Sequence, residues 1–180
     1  MSKSKFDPNS DRATRGLAFQ AKVQKSIDPW FQKTWNTRDW LLFQDPCLSD
    51  IQLNVLEHTW GDIAVFDSNI PYPIFIECVS LGYENSIFPN HKIIKYNGKN
   101  KFYCFGWDDE MRFVHSRTWN SYVKKCDSLE HYKKFTRTKI CNLRKQHNSP
   151  DDFCESILQI ENRVTLQSTY YNINTTNQGV

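Results

Sequence analysis

The sequence predicts a single α/β domain with a central mixed β-sheet and flanking helices. Three observations support this fold class. The chain has 180 residues, a typical length for one domain that buries its own core. It contains 6 Trp, 8 Tyr and 12 Phe, which favours a packed interior over disorder. Segments with helical periodicity lie on both sides of a central region of short apolar runs separated by turn residues.

The predicted domain covers residues 12–166, between a flexible N-terminus at 1–11 and a polar C-terminal tail at 167–180. Asp11 is the expected N-cap of a first helix that runs to Ile27, where Asp28-Pro29 ends it. Residues 30–48 contain three tryptophans and a proline, and this composition predicts an irregular segment with at most a helical turn.

Strands are predicted in the central region. Apolar residues alternate with polar ones in Ile51–Glu57, which predicts a half-buried strand. Strands at 62–67 and 74–79 should form a hairpin around the turn at 68–73. Residues 82–100 are rich in Gly, Pro and Asn and predict a long connection with a short strand at 92–96. A second hairpin should pair 101–107 with 111–115.

Helical pattern returns after the second hairpin. A short helix is expected at 118–125, and a longer one from Asp127 or Ser128 to about Gln146. Ser149-Pro150 has the composition of a helix start, with an acidic residue three positions after the serine, and predicts a final helix to about Asn162.

Composition excludes several classes of protein. The net charge of +3 is too small to attract nucleic acid by a global field, so any such site must come from local basic clusters. The six cysteines form no CxxC or CxxH pattern, which argues against a structural zinc site. The chain shows no apolar signal-peptide core and no apolar run of membrane-spanning length. We therefore expect a cytoplasmic protein with reduced cysteines and no membrane partner.

The first hairpin carries two carboxylates, Asp62 and Glu77. A symmetric turn would place Asp67 opposite Ile74, and then Asp62 and Glu77 share one face of the sheet as diagonal neighbours. Such a pair can bind one hard cation, Mg²⁺ or Mn²⁺. A slip of one residue would put the two side chains on opposite faces. Asp62 after Gly61 is also compatible with simple turn chemistry.

The helix RGLAFQAKVQKSI, the Gly-Asp at 61–62 and the Ile-Glu-Cys-Val at 76–79 resemble the PD-(D/E)XK nuclease superfamily, the restriction endonuclease-like fold. That resemblance implies a helix followed by a three-stranded meander, metal binding by Asp62 and Glu77, and Mg²⁺-dependent endonuclease activity on DNA. Val79 stands where the family has a lysine, and Gln20 where many members have a glutamate on the first helix. Lys92, Lys95 and Lys101 lie downstream and can supply an ammonium group, and Lys92 and Lys95 are the first candidates to replace that lysine.

A basic segment at 130–145 is the expected DNA contact. If it is helical, it presents cations that can bind backbone phosphates without sequence preference. Its residues are Lys133, Lys134, Arg137, Arg144 and Lys145. A merely solvated helix surface is the alternative for this segment.

Two further classes of function remain open. Val79 and Gln20 favour a catalytically inactive nuclease-fold domain that binds nucleic acid or a protein. The protein partner can be a second copy of this chain, which would make a homodimer. A small structural or interaction protein of viral origin, such as a phage protein in an infected host cell, is the third class.

Overall fold

A mixed β-sheet forms the centre of the computed structural model, which describes residues 10–81, 85–90, 98–107, 110–129, 132–144 and 146–159. The strands in these residues are β1 Lys33–Asn36, β2 Ile63–Phe66, β3 Ile74–Ser80, β4 Asn85–Pro89, β5 Lys101–Trp107, β6 Glu110–His115, β7 Ser128–Leu129, β8 Tyr132–Thr136 and β9 Gln146–His147. The central sheet has the order β1-β2-β3-β5-β6-β9, and a smaller sheet has the order β4-β8-β7. In the central sheet β3 and β5 are parallel, while the other neighbours are antiparallel.

Six α-helices in the described residues flank or connect these strands. They are α1 Asp11–Ile27, α2 Thr37–Gln44, α3 Asp50–Trp60, α4 Ser116–Val123, α5 Arg137–Cys141 and α6 at 150–159. Side chains cap their starts because the first backbone N–H groups of a helix have no partner inside it. The α1 cap is Ser10 and not the predicted Asp11, which is the first residue of the helix; the Ser10 hydroxyl accepts a hydrogen bond from the Ala13 N–H. None of the helices in the described residues is long and apolar enough to cross a bilayer.

The central sheet separates two hydrophobic clusters. On one face, α1 and α6 bury Val23, Ile27 and Phe153 against Ile76 and Phe113, and we call this the first cluster. On the other face, α4 and the smaller sheet pack against β5 and form the second cluster. Its fully buried aromatic members are Phe88, Tyr103, Phe105 and Trp119.

Gly106 shows how closely α1 approaches the sheet. A Cβ atom built on Gly106 would lie 1.9 Å from Cε2 of Phe19, so only glycine leaves room for this ring. Helix α1 therefore occupies the face of β5 to which Cys104 and Gly106 belong. The α/β class is confirmed, as are the first helix, the first hairpin strands and the second hairpin. All six cysteines are free.

The predicted strand at Ile51–Glu57 is wrong, because this segment lies in α3. Ser49 and Gln52 form a reciprocal capping box at its start. On the helix Ile51 and Val55 lie one turn apart and are 78% and 54% exposed, while Leu53 faces inward. The alternation along the sequence therefore marks two sides of a helix and not two faces of a sheet.

The predicted irregular segment at 30–48 is also wrong. It contains β1, which pairs with β2, and α2, which Asn36 caps through its side-chain oxygen. Trp40 of α2 packs against Trp60 and Phe75, with ring centroids 5.1 and 6.1 Å away. Trp40 and Trp60 therefore belong to a layer of packed rings on the sheet, whereas Trp30 packs against the first cluster.

The long helix predicted from Asp127 to Gln146 is replaced by shorter elements. Residues 128–136 form the β7–β8 hairpin, and β8 pairs with β4, which lies in the expected loop at 82–100. Phe135 enters the second cluster from this strand, so tertiary packing overrides the local helical preference. The predicted strand at 92–96 lies outside the described residues.

Gly61 joins α3 to β2 in a conformation that only glycine adopts readily, with φ 92° and ψ −163°. We expect Gly61→Ala to lower the free energy of unfolding by about 1–3 kcal/mol. The matched control is Gly16→Ala in α1, where a Cβ atom would meet nothing within 4 Å. That change should raise stability by about 0.5–1 kcal/mol. Urea denaturation followed by circular dichroism measures both, and equal effects would contradict the prediction.

Candidate active site

The observed register of the first hairpin differs by two residues from the predicted one. Ile63 pairs with Ile76, Ala64 with Phe75 and Val65 with Ile74. Because side chains alternate faces with period two, a shift of two residues leaves every side chain on its predicted face. Glu77 therefore shares the face of Phe75.

Asp62 is held by three hydrogen bonds, two of them to β3 and one to the start of α2. Its backbone N–H donates to the Ile76 carbonyl at 2.8 Å, and its own carbonyl accepts from the Thr37 N–H at 2.9 Å. Its Oδ2 accepts from the Cys78 N–H at 2.7 Å. Since Cys78 directly follows Glu77 in the strand, the Asp62 carboxylate lies beside the backbone of the Glu77–Cys78 segment. A bond of this length to a carboxylate is charge-assisted and strong.

Glu77 is a buried acid on the face of the second cluster, with 3% of its surface exposed. Its partner on β5 is Tyr103. The Tyr103 hydroxyl donates to Oδ1 of Asn120 at 3.4 Å, and Asn120 is 4% exposed. Burial raises the pKa of Tyr103, so its hydroxyl stays protonated. A carboxylate in such a place is stable only with polar or charged partners.

Lys101 lies on the same face as Glu77. Its partner on β3 is Phe75, two residues before Glu77, so Lys101 and Glu77 are diagonal neighbours. The Lys101 Nζ donates to the Thr59 carbonyl at 2.5 Å, which ties the side chain to the end of α3. Burial lowers the pKa of this ammonium group. A lysine on β5 is thus placed near the acid on β3.

Val79 and Gln20 cannot supply a charged group beside Glu77. Val79 pairs with Phe105 and packs against the second cluster, so an apolar contact replaces the lysine of the family pattern. Gln20 belongs to α1, which packs on the first cluster, whereas Glu77 faces the second. The helix that carries Gln20 therefore lies on the opposite side of the sheet from the Glu77 side chain. Lys92 and Lys95 lie outside the described residues.

The predicted basic helix does not exist, and its cations are distributed over separate elements. Lys133 lies on β8 and its Nζ donates to Ser128 Oγ at 2.6 Å and to two backbone carbonyls. Arg137 forms an ion pair with Glu110 at 2.9 Å and lies over the Trp107 ring. These two cations thus stabilise the fold. Lys134 and Arg144 are exposed, and Lys145 lies outside the described residues.

A second polar contact set lies at the start of α6. His147 Nδ1 is 3.6 Å from Asp152 Oδ1, and its Nε2 is 3.3 Å from Ser156 Oγ. The serine donates to the Phe153 carbonyl at 2.8 Å, and Asp152 Oδ2 accepts from the Asn148 N–H. Asp152 thus binds the backbone just before α6, Ser156 bonds within the helix, and we assign the three side chains a structural role.

Asp62 and Glu77 are the two residues that the sequence predicts to bind a metal ion. Among the described residues, no group of three or more His, Cys, Asp or Glu side chains is arranged to hold a metal ion. Two carboxylates nevertheless suit Mg²⁺, which usually keeps several water ligands and takes only one or two carboxylates from the protein. Tyr103 and Asn120 were not predicted as site residues, because the place of Tyr103 beside Glu77 depends on the parallel pairing of β3 with β5. Lys101 was one of three candidate lysines, and of these three it is the one that lies in the described residues.

Comparisons with known proteins include a distant likeness to a solved structure. No protein-family model matches the chain, and no curated protein matches it. Among solved structures, a Holliday junction resolvase, Hjc of the archaeal hyperthermophile Archaeoglobus fulgidus, matches with a TM-score of 0.42 and 7% identity. The match covers 69% of this chain and 85% of that chain. At this similarity it carries no functional argument, and the proposal below depends on the side chains.

Proposed function

We propose that this chain is a nuclease-like domain in which Asp62 and Glu77 bind one divalent cation, Mg²⁺ or Mn²⁺, for hydrolysis of DNA phosphodiester bonds. The observation that carries the proposal is the 2.7 Å hydrogen bond from the Cys78 N–H to Asp62 Oδ2. It anchors one carboxylate next to the strand residue that supplies the other. DNA as the substrate comes from the sequence resemblance.

The chain's own residues supply three contributions to this chemistry. The bond to Cys78 orients the Asp62 carboxylate, so little freedom is lost when a cation binds. Glu77 is buried in a region of low effective dielectric constant, where its carboxylate attracts a cation more strongly than it would in water. Lys101 places an ammonium group on the same face, where it can stabilise negative charge. A bound divalent cation would stabilise charge on the phosphate and lower the pKa of a coordinated water.

A catalytically inactive domain of the same fold is the second candidate. The observation that favours it is the packing of Val79 against the second cluster, where an apolar side chain fills the position of the family lysine. In this case the fold would bind nucleic acid or a protein partner without cleaving a bond.

The test combines metal titration with a plasmid-nicking assay. Isothermal titration of Mg²⁺ and Mn²⁺ into the wild type should show one site, and Glu77→Gln should weaken binding by at least about tenfold because a ligand charge is lost. The matched control is Glu155→Gln, an exposed acid on α6. Thermal unfolding of both variants checks that the fold is intact.

Three outcomes separate the candidates. Binding and nicking that are both lost in Glu77→Gln and kept in Glu155→Gln support the nuclease. Metal binding without nicking supports the inactive domain. Wild-type protein that binds neither cation contradicts the carboxylate pair as a metal site.

A further inference from the structure

A basic pocket lies between the end of α4 with the turn that follows it and α5 with the residues that follow it. Its volume is about 370 Å³. The lining residues are Tyr122, Lys125, Cys126, Asp127, Lys139, Asn142, Leu143 and Arg144. Three of these carry a positive charge and one a negative charge, so the pocket has a net positive lining.

The three cations of the pocket are not used by the fold. Lys125, Lys139 and Arg144 are exposed, and none of them forms an ion pair with another described residue. This separates them from Lys133 and Arg137, whose charged groups bind neighbouring protein atoms. Like charges gathered around a pocket repel one another, and an anion in the pocket would relieve this repulsion.

The carboxyl end of α4 would ordinarily oppose an anion here, because its free carbonyls carry partial negative charge. The positive charge of Lys133 offsets this partial negative charge. Its Nζ donates to the carbonyls of Lys124 at 3.4 Å and Cys126 at 3.3 Å, just past the end of α4. A fourth positive charge therefore lies behind the pocket.

The apolar part of the lining suits a ring. Tyr122 packs against Trp119 with ring centroids 5.6 Å apart, which fixes the tyrosine ring in place. Leu143 packs against the same cluster. The Tyr122 hydroxyl is shielded from solvent, with the Cys126 side chain beside it. A rigid ring next to exposed cations is the arrangement by which proteins hold a base and its phosphate.

We propose that this pocket binds the phosphate group of a nucleotide, with the cations Lys125, Lys139 and Arg144 on the phosphate and the base against Tyr122 and Leu143. The nucleotide is either free or part of a single strand. The proposal does not depend on the metal site at Asp62 and Glu77.

The experiment compares two variants that each lose one lysine and one arginine. Lys139→Gln/Arg144→Gln removes two pocket cations, and Lys25→Gln/Arg15→Gln removes two exposed cations of α1, on the other face of the sheet. Fluorescence anisotropy with labelled (dT)12 and titration calorimetry with dTMP and inorganic phosphate are run in EDTA. Without divalent cations, the outcome cannot reflect the carboxylate site.

We expect the pocket variant to bind its ligand at least about tenfold more weakly than the control variant. For (dT)12, the slope of log binding constant against log salt concentration should become shallower by about 0.7 for each lost phosphate contact. Binding of dTMP and phosphate without (dT)12 would identify a free nucleotide as the ligand. Binding of (dT)12 well above dTMP would identify a strand. Equal affinities of the two variants for all three probes would overturn the proposal.

Discussion

Replacing Trp119 with alanine should lower the free energy of unfolding by about 3–5 kcal/mol. This indole is fully buried and joins the two sheets. On one side it contacts Phe105 of β5, with ring centroids 4.5 Å apart, and on the other side Phe88 and Phe135 of the smaller sheet at 5.4 and 5.1 Å. A loss of this size is a large share of the stability of a small domain, about 5–15 kcal/mol.

The measurement is urea denaturation followed by far-ultraviolet circular dichroism, with Tyr72→Ala as the control. Tyr72 is 69% exposed, so its removal should change stability by no more than about 0.5 kcal/mol. Trp119→Phe should cost much less than Trp119→Ala, because the ring contacts largely remain and the indole N–H, which has no partner among the described residues, is removed. Equal losses for Trp119→Ala and Tyr72→Ala would contradict the assigned packing.

Hydrogen exchange separates a local effect from a global one. If Trp119 is the main link between the sheets, amides of β4 and β8 should lose protection in Trp119→Ala before those of β3 and β5. Uniform loss across both sheets would show that the domain unfolds as one unit.

The sequence predicted the elements whose pattern is local. Helix α1 has a cap at one end and Asp28-Pro29 at the other, and the second hairpin has two apolar runs around an acidic turn. The sequence was misleading where a pattern fits two structures. Ile51–Glu57 alternates like a strand, and only its capping box, Ser49 with Gln52, distinguishes it from one. That signal is present in the sequence.

The candidate site was predictable in part, for a geometric reason. Predicting that Asp62 and Glu77 share a face of the sheet requires only that any error in the hairpin register be an even number of residues. The error is two residues, so both side chains stay on the predicted face. The neighbours on β5 required the pairing of β3 with a strand more than twenty residues away in the chain, which no local pattern encodes. Lys133 and Arg137 were misassigned because their helix was wrong, and their charges bind protein atoms.

Lys101→Met should lower the rate of plasmid nicking by about 10²–10³ if the nuclease proposal is correct. The reason is the position of Lys101, diagonal to Glu77 on the same face of the sheet. An ammonium group there can perform the charge stabilisation that Val79 cannot. The control is Lys99→Met, an exposed lysine two residues earlier, which should leave the rate unchanged. Lys101→Arg keeps the charge and should restore part of the activity.

Metal affinity distinguishes this role from a structural one. Lys101 also donates to the Thr59 carbonyl, so its loss has a cost in stability whatever its function. Removing a positive charge near Asp62 and Glu77 should tighten Mg²⁺ binding, because less repulsion opposes the cation. A merely structural loss would loosen it. Unchanged nicking in Lys101→Met would move the search to Lys92 and Lys95.

The pH profile provides an independent test of the same group. Burial lowers the pKa of Lys101, and only the ammonium form stabilises negative charge. As the pH rises, the nicking rate of the wild type should therefore decline at a pH below the pKa of an ordinary lysine. The residual activity of Lys101→Met should not show this alkaline decline. Between the lowered pKa and the ordinary one, the unfolded chain binds more protons at this residue, so its contribution to stability rises with pH. Activity would then fall in the same pH range in which the titration of Lys101 increases the stability of the fold. The decline therefore cannot be caused by unfolding that is coupled to the titration of Lys101.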